Sequence, residues 1–117
     1  MTNLTSAMTE TQLQAAIIEA ARFNGWLVTH FRPGMMRSGK WATPLQGHPG
    51  WVDLVLAKAP WCLFVELKAA KGKVSPEQQQ WLDVLNACGQ TAVVWRPADW
   101  GSGEILRILT REIAYGA

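Results

Sequence analysis

From Leu13 onward, apolar residues recur at helical spacing: Leu13, Ile17, Ala20, Ala21 and Phe23. That period predicts a helix. Thr9 stands in the capping position, and Gln12 three residues later completes a capping-box pattern. Asn24-Gly25 is the stop. Trp26 to Phe31 then reads as a strand, and two more strands are predicted at 51–57 and 61–68, joined around Lys58-Ala59-Pro60. Ser75-Pro76-Glu77 opens a second helix, with serine as cap and proline at the first helical position. Its apolar face is Trp81, Leu82, Val84, Leu85 and Cys88, and Gly89 ends it. Thr91 to Trp95 is a further strand. A last helix is predicted from about Gly103 to Ala114, with Ile105, Leu106, Ile108, Leu109 and Ile113 apolar. The order helix, three strands, helix, strand, helix predicts an α/β domain. Arg32 to Gly50, with Gly34, Gly39, Gly47, Gly50 and three prolines, reads as one long loop. Residues 1–8 are expected to be a flexible end, and 9–117 a single domain.

Composition narrows this picture only a little. A chain of 117 residues has the size of one domain with one core. No apolar stretch approaches the roughly 20 residues that span a bilayer. Met1 to Met8 lacks the basic start and apolar middle of a signal peptide. A soluble, cytoplasmic protein without a membrane partner is expected. Cys62 and Cys88 lie in apolar segments without metal-type spacing and are expected to be small buried hydrophobes. Of seven tryptophans, Trp26, Trp51, Trp61, Trp81 and Trp95 are assigned to the core, and Trp41 and Trp100 to the surface. A net charge of +2 does not mark a nucleic-acid binder. The distribution says more: Arg32, Arg37 and Lys40 cluster in one loop, and Lys68, Lys71 and Lys73 near another. Such clusters can contact phosphates, and equally can be solvated loops.

Chemistry concentrates in the two central strands. Trp51-Val52-Asp53-Leu54-Val55-Leu56 carries a lone Asp, and Phe64-Val65-Glu66-Leu67-Lys68 carries Glu-x-Lys. Strand alternation points Glu66 and Lys68 the same way. A connecting loop of four residues, 57–60 or 58–61, puts Asp53 on that face; the second choice sets it directly opposite Glu66, with Cβ atoms roughly 5 Å apart. A three-residue loop sends it to the other face unless a bulge intervenes. Two carboxylates that close repel each other unless a cation lies between them. Mg²⁺ prefers hard oxygen ligands and keeps several waters. Asp53 and Glu66 would supply one oxygen each, with the Leu67 carbonyl as a third. Lys68 would orient a water or offset charge on a phosphate. Taken alone, the three residues are also explained by a strand ion pair, with Asp53 as a turn residue.

Further features in sequence order change that balance. Gly50-Trp51-Val52-Asp53, then Phe64-Val65-Glu66-Leu67-Lys68, then Lys71-Gly72-Lys73-Val74-Ser75-Pro76-Glu77-Gln78 and Trp81-Leu82 resemble the VRR-NUC domain, a branch of the PD-(D/E)XK nuclease superfamily. Glu10-Thr11-Gln12-Leu13-Gln14 and Val94-Trp95-Arg96-Pro97-Ala98-Asp99-Trp100 are similar to that branch as well, so the likeness covers about residues 9–112. The resemblance implies a restriction-endonuclease-like αβββαβ core, a mixed central sheet flanked by helices. It implies Mg²⁺- or Mn²⁺-dependent cleavage of DNA, branched DNA such as a Holliday junction or flap above all. It implies a homodimer, and a bacterial host with phage or prophage origin. By residue, Asp53 and Glu66 match the metal-binding acids, Lys68 the catalytic lysine and Gln78 a supporting glutamine. Glu10 matches a helix acid that reaches the metal directly or through water, with Glu19 as the fallback. Members often carry Pro before the Asp; here it is Val52, which removes no ligand.

His30 is expected to be a partly buried strand residue and His48 a loop residue, each with a general-base or phosphate-contact alternative. In the long loop, Arg37, Lys40 and Trp41 would suit DNA, cations for phosphates and an aromatic for an exposed base. Two rivals stand beside the DNA endonuclease: a non-catalytic DNA-binding or assembly module on the same fold, and a nuclease acting on RNA or generic duplex DNA.

Overall fold

The computed structural model describes residues 8–31, 34–35, 41–42 and 46–112, with the backbone alone at 34–35 and 41–42. Helix α1 spans Glu10–Phe23, and Leu13, Ile17 and Ala21 form its buried stripe. The Thr9 hydroxyl accepts from the Gln12 N–H, and the Gln12 side chain accepts from the Thr9 N–H at 2.9 Å, so both ends of the capping box are made. Strand β1 (Leu27–His30) follows. A two-stranded ribbon, β2 (Gly34–Met35) with β3 (Trp41–Ala42), occupies part of the stretch read as a loop. Two-residue strands carry too few positions for alternation to show in sequence.

Strands β4 (Leu54–Lys58) and β5 (Trp61–Leu67) form a hairpin whose turn is Ala59-Pro60. Helix α2 (Pro76–Ala87) and strand β6 (Thr91–Trp95) come next. Two short helices close the described chain, α3 (Pro97–Gly101) and α4 (Glu104–Leu109). The expected last helix, Gly103 to Ala114, is present as the shorter α4, α3 is an additional helix before it, and Ile113 lies outside the described residues. The Arg96 N–H donates to Asp99 Oδ2 at 2.8 Å and caps α3, which has too few residues for a period to emerge.

The main sheet has the order β1-β4-β5-β6. β1–β4 and β4–β5 are antiparallel and β5–β6 is parallel, which makes the sheet mixed. With the ribbon set aside, the order is αβββαβ, compatible with the restriction-endonuclease-like fold.

Alternation along β5 separates two cores. Leu63, Val65 and Leu67 join Leu13, Ile17, Ala21, Ile105 and Leu109 from α1 and α4. Phe64 belongs to the other face, with Val52, Leu82 and Ala92 under α2. Each fully buried aliphatic side chain contributes about 1.5–3 kcal/mol, so the larger first cluster carries most of the stability.

Several assignments change with the fold in view. Met8, placed in the flexible end, is partly buried and packs against the first core, as does Trp100, placed on the surface. Trp51, Trp61 and Trp81 are half-buried, whereas Trp26 and Trp95 are buried. Cys62, in β5, is half-buried. Cys88 is exposed and Val84 is 51% exposed, because α2 lies on the sheet along a narrower stripe than its apolar residues suggest. No helix among the described residues is long and apolar enough to cross a membrane.

Candidate active site

The β4–β5 register decides whether the two acids meet. Leu54 pairs with Val65 and Ala57 with Cys62, so Asp53, one residue before β4, falls opposite Glu66. The Asp53 N–H donates to the Val65 carbonyl at 3.0 Å, and the Asp53 carbonyl accepts from the Phe31 N–H at 3.0 Å. Asp53 is thus clamped between β1 and β5 although it lies outside the strand itself. Its Oδ2 accepts from the Leu67 N–H at 2.8 Å.

Glu66 is 2% exposed and is the one buried charged residue among the described side chains. Burial without compensation is costly for a carboxylate. Its Oε1 accepts from Gln78 Nε2 at 3.0 Å and lies 3.6 Å from Lys68 Nζ. Its Oε2 is buried and has no donor. Burial pushes the Glu66 carboxyl up to about 8, helped by hydrogen bonding and repulsion from Asp53 and opposed by the Lys68 ammonium. Glu10, in the first turn of α1, is near enough to feel the same charges: partial burial and then Asp53 raise its carboxyl, and Lys68 lowers it. Glu19 lies nine residues further along α1, roughly 13 Å by helical rise, on an exposed position.

Gln78 has two functions. Its Oε1 accepts from the Ser75 N–H at 2.9 Å, closing the capping box of α2, while its Nε2 holds Glu66. The first turn of α2 is in turn set by Gly50, whose φ of +95° is in the left-handed region. A Cβ at Gly50 would come within 2.5 Å of the Glu77 carbonyl carbon. The family resemblance singles out Gln78, whereas the residue type alone does not distinguish it from Gln79 and Gln80. The discriminating signal was its position three residues after the Ser75 cap.

One oxygen of each acid is therefore fixed by the protein, the buried Glu66 Oε2 has no donor, and the Asp53 carboxyl is near enough to Glu66 to act on it directly. That orphan oxygen suits a hard cation or a shared proton. Among the described residues, no three His, Cys, Asp or Glu side chains converge to cage a metal. The donor set is the sparse one that Mg²⁺ or Mn²⁺ uses, with water completing the shell, and the residues fit that group.

The remaining predicted contacts are spread out. Lys71 and Lys73 are exposed in the connection after β5. Arg96, passed over as a site residue, fastens that connection: its Nη1 donates to the Ala69 carbonyl at 2.9 Å and the Gly72 carbonyl at 2.7 Å. Arg32, Arg37 and Lys40 lie outside the described residues, as does the Trp41 side chain. His30 is half-buried, its Nδ1 3.5 Å from Gln14 Nε2, and His48 is exposed.

Residues 44–99 match the model of the VRR-NUC domain. No curated protein and no solved structure gives a match.

Proposed function

We propose, from the premise that this chain carries a VRR-NUC domain and is therefore of a nuclease family, that it is a Mg²⁺- or Mn²⁺-dependent, structure-selective DNA endonuclease. The observation that carries the metal reading is the buried Glu66 Oε2, left without a donor beside Asp53. Asp53, Glu66 and the Leu67 carbonyl would hold the ion. Glu10, whose carboxyl does not converge with the other two into a cage, would act through water. When bound, the ion supplies Lewis acidity and lowers the pKa of a neighbouring water.

The chain's own residues supply orientation and charge. The Leu67 N–H and Gln78 Nε2 hold one oxygen of each acid, so the other oxygens keep a fixed separation. Lys68, 15% exposed, offsets the negative charge that develops on the scissile phosphate and orients the attacking water. Lys71 and Lys73 contact the backbone nearby. Branched DNA is the substrate we favour, cut by a homodimer that presents two sites to two strands.

The test is a panel of labelled four-way junction, flap, duplex and RNA substrates with Mg²⁺, Mn²⁺ or EDTA. Metal-dependent cutting of the branched forms is expected, and Asp53→Asn or Glu66→Gln should abolish it without loss of fold. DNA retention with no cutting in either metal would make the chain a binding module instead.

A further inference from the structure

Between α2 and the segment before Asp53 lies an open recess of about 170 Å³ lined by His48, Gln80, Trp81 and Val84. We propose that this recess receives one unpaired nucleobase of the DNA substrate, stacked on Trp81 with its polar edge toward His48 and Gln80. The proposal rests on DNA being the substrate, and supplies a reason for selectivity toward branched or unpaired DNA.

The chemistry of the walls carries the assignment. A nucleobase is a flat heterocycle with apolar faces and hydrogen-bonding edges. The recess offers an indole and an isopropyl group for the faces, and an imidazole and a carboxamide for the edge. Its volume is below the roughly 300–1,000 Å³ of sites for larger ligands, which suits a single ring system. Val84 is 51% exposed at its mouth, on a helix whose neighbouring Asp83, Gln79 and Gln80 are polar and exposed. Among the described residues, nothing covers that apolar group.

Position supplies the second argument. The recess lies between two segments that also set the acids: α2, which carries Gln78, and residues 46–50, which lead into Asp53. Trp81 Nε1 donates to the Pro49 carbonyl at 3.0 Å and fastens the 46–50 segment to α2. Trp81 follows Gln78 by three residues, roughly 5 Å along the helix axis. The indole is also held still. Its ring meets Trp51 edge-on at 4.8 Å, and Trp51 is itself braced by Phe64 at 5.8 Å and Phe31 at 6.1 Å. A stacking platform already fixed in place loses little freedom on binding.

The test is equilibrium binding in EDTA to three labelled DNAs: a paired duplex, the same duplex with one bulged base, and a single strand. Val84→Trp fills the recess from an exposed position, and Gln80→Ala removes an edge partner, so neither variant threatens the core. Val84→Trp is expected to lose about tenfold in affinity for the bulged and single-stranded DNAs, with less than a twofold change on the duplex. Gln80→Ala should shift affinity in the same selective direction by a smaller factor. Native-like binding of all three DNAs by Val84→Trp, or an equal loss on all three, would overturn the assignment. Failure of the native protein to bind any of the three overturns it as well. Cutting of the same DNAs with Mg²⁺, measured in parallel, tests the nuclease reading separately: selective binding without cutting leaves the recess assigned and the endonuclease reading refuted.

Discussion

The two main helices begin with the same device and use it differently. In α1, Thr9 and Gln12 exchange hydrogen bonds on an exposed surface. In α2, Ser75 and Gln78 make the same exchange half-buried, and the Gln78 amide has a second partner in Glu66. The first box sets only where a helix starts. The second sets where a helix starts and where an acid points. A local motif thus acquires a chemical role only when the tertiary fold brings something to its unused donor.

The sharpest way to break the comparison is Gln78→Glu. Glutamate at the third helical position still closes the box, but it replaces a donor by a carboxylate 3.0 Å from Glu66 Oε1. Cutting should fall by about 100-fold or more while helix content by circular dichroism is unchanged. Gln12→Glu, the matching change in α1, should leave both readouts at native levels. If the two variants behave alike, Gln78 is only a cap.

Gly50→Ala attacks the second box from outside. The added carbon meets backbone at 2.5 Å and must also adopt a φ of +95°. A loss of about 2–3 kcal/mol by denaturant titration is expected, together with reduced cutting, because the first turn of α2 must move away from Glu66.

A pH series separates the buried acid from everything else. The Glu66 carboxyl sits at about 8 against an ordinary 4.5. Between those values the folded, metal-free protein retains a proton that the unfolded chain has released. Its contribution to stability is therefore full below about 4.5 and is lost as pH rises through about 8. Thermal melts in EDTA should show that decline, and Glu66→Gln should flatten it. Added Mg²⁺ should oppose the decline at the alkaline end, since metal binding requires the deprotonated acid.

Thr9→Ala should have the smallest effect, about 1 kcal/mol in stability with native cutting.

Much of this was legible in the sequence because the relevant physics is local. Capping residues, the apolar period of α1 and the order of strands each need only a few neighbouring positions. The meeting of Asp53 with Glu66 was reduced to a choice of loop lengths, since side-chain parity leaves only even registers. The turn itself proved to be the two residues Ala59-Pro60, with Lys58 and Trp61 paired, which keeps the register of the 58–61 alternative. What stayed hidden depends on distant packing. The Arg96 clamp on Ala69 and Gly72, the approach of Gly50 to α2, and the exposure of Val84 and Cys88 leave no periodic trace. Helix α3 and the β2–β3 ribbon are too short to leave one.

Among the described residues, the groups gathered on Glu66 come from residues 53–78, a hairpin and the helix that follows it, with the exception of Glu10, which arrives from far away in the chain. Closing such short loops costs little chain entropy, so the centre forms from near neighbours without waiting for the ends of the polypeptide. Insertions before α1 or after α4 would enlarge the periphery and leave this kernel and its β1 clamp on Asp53 in place.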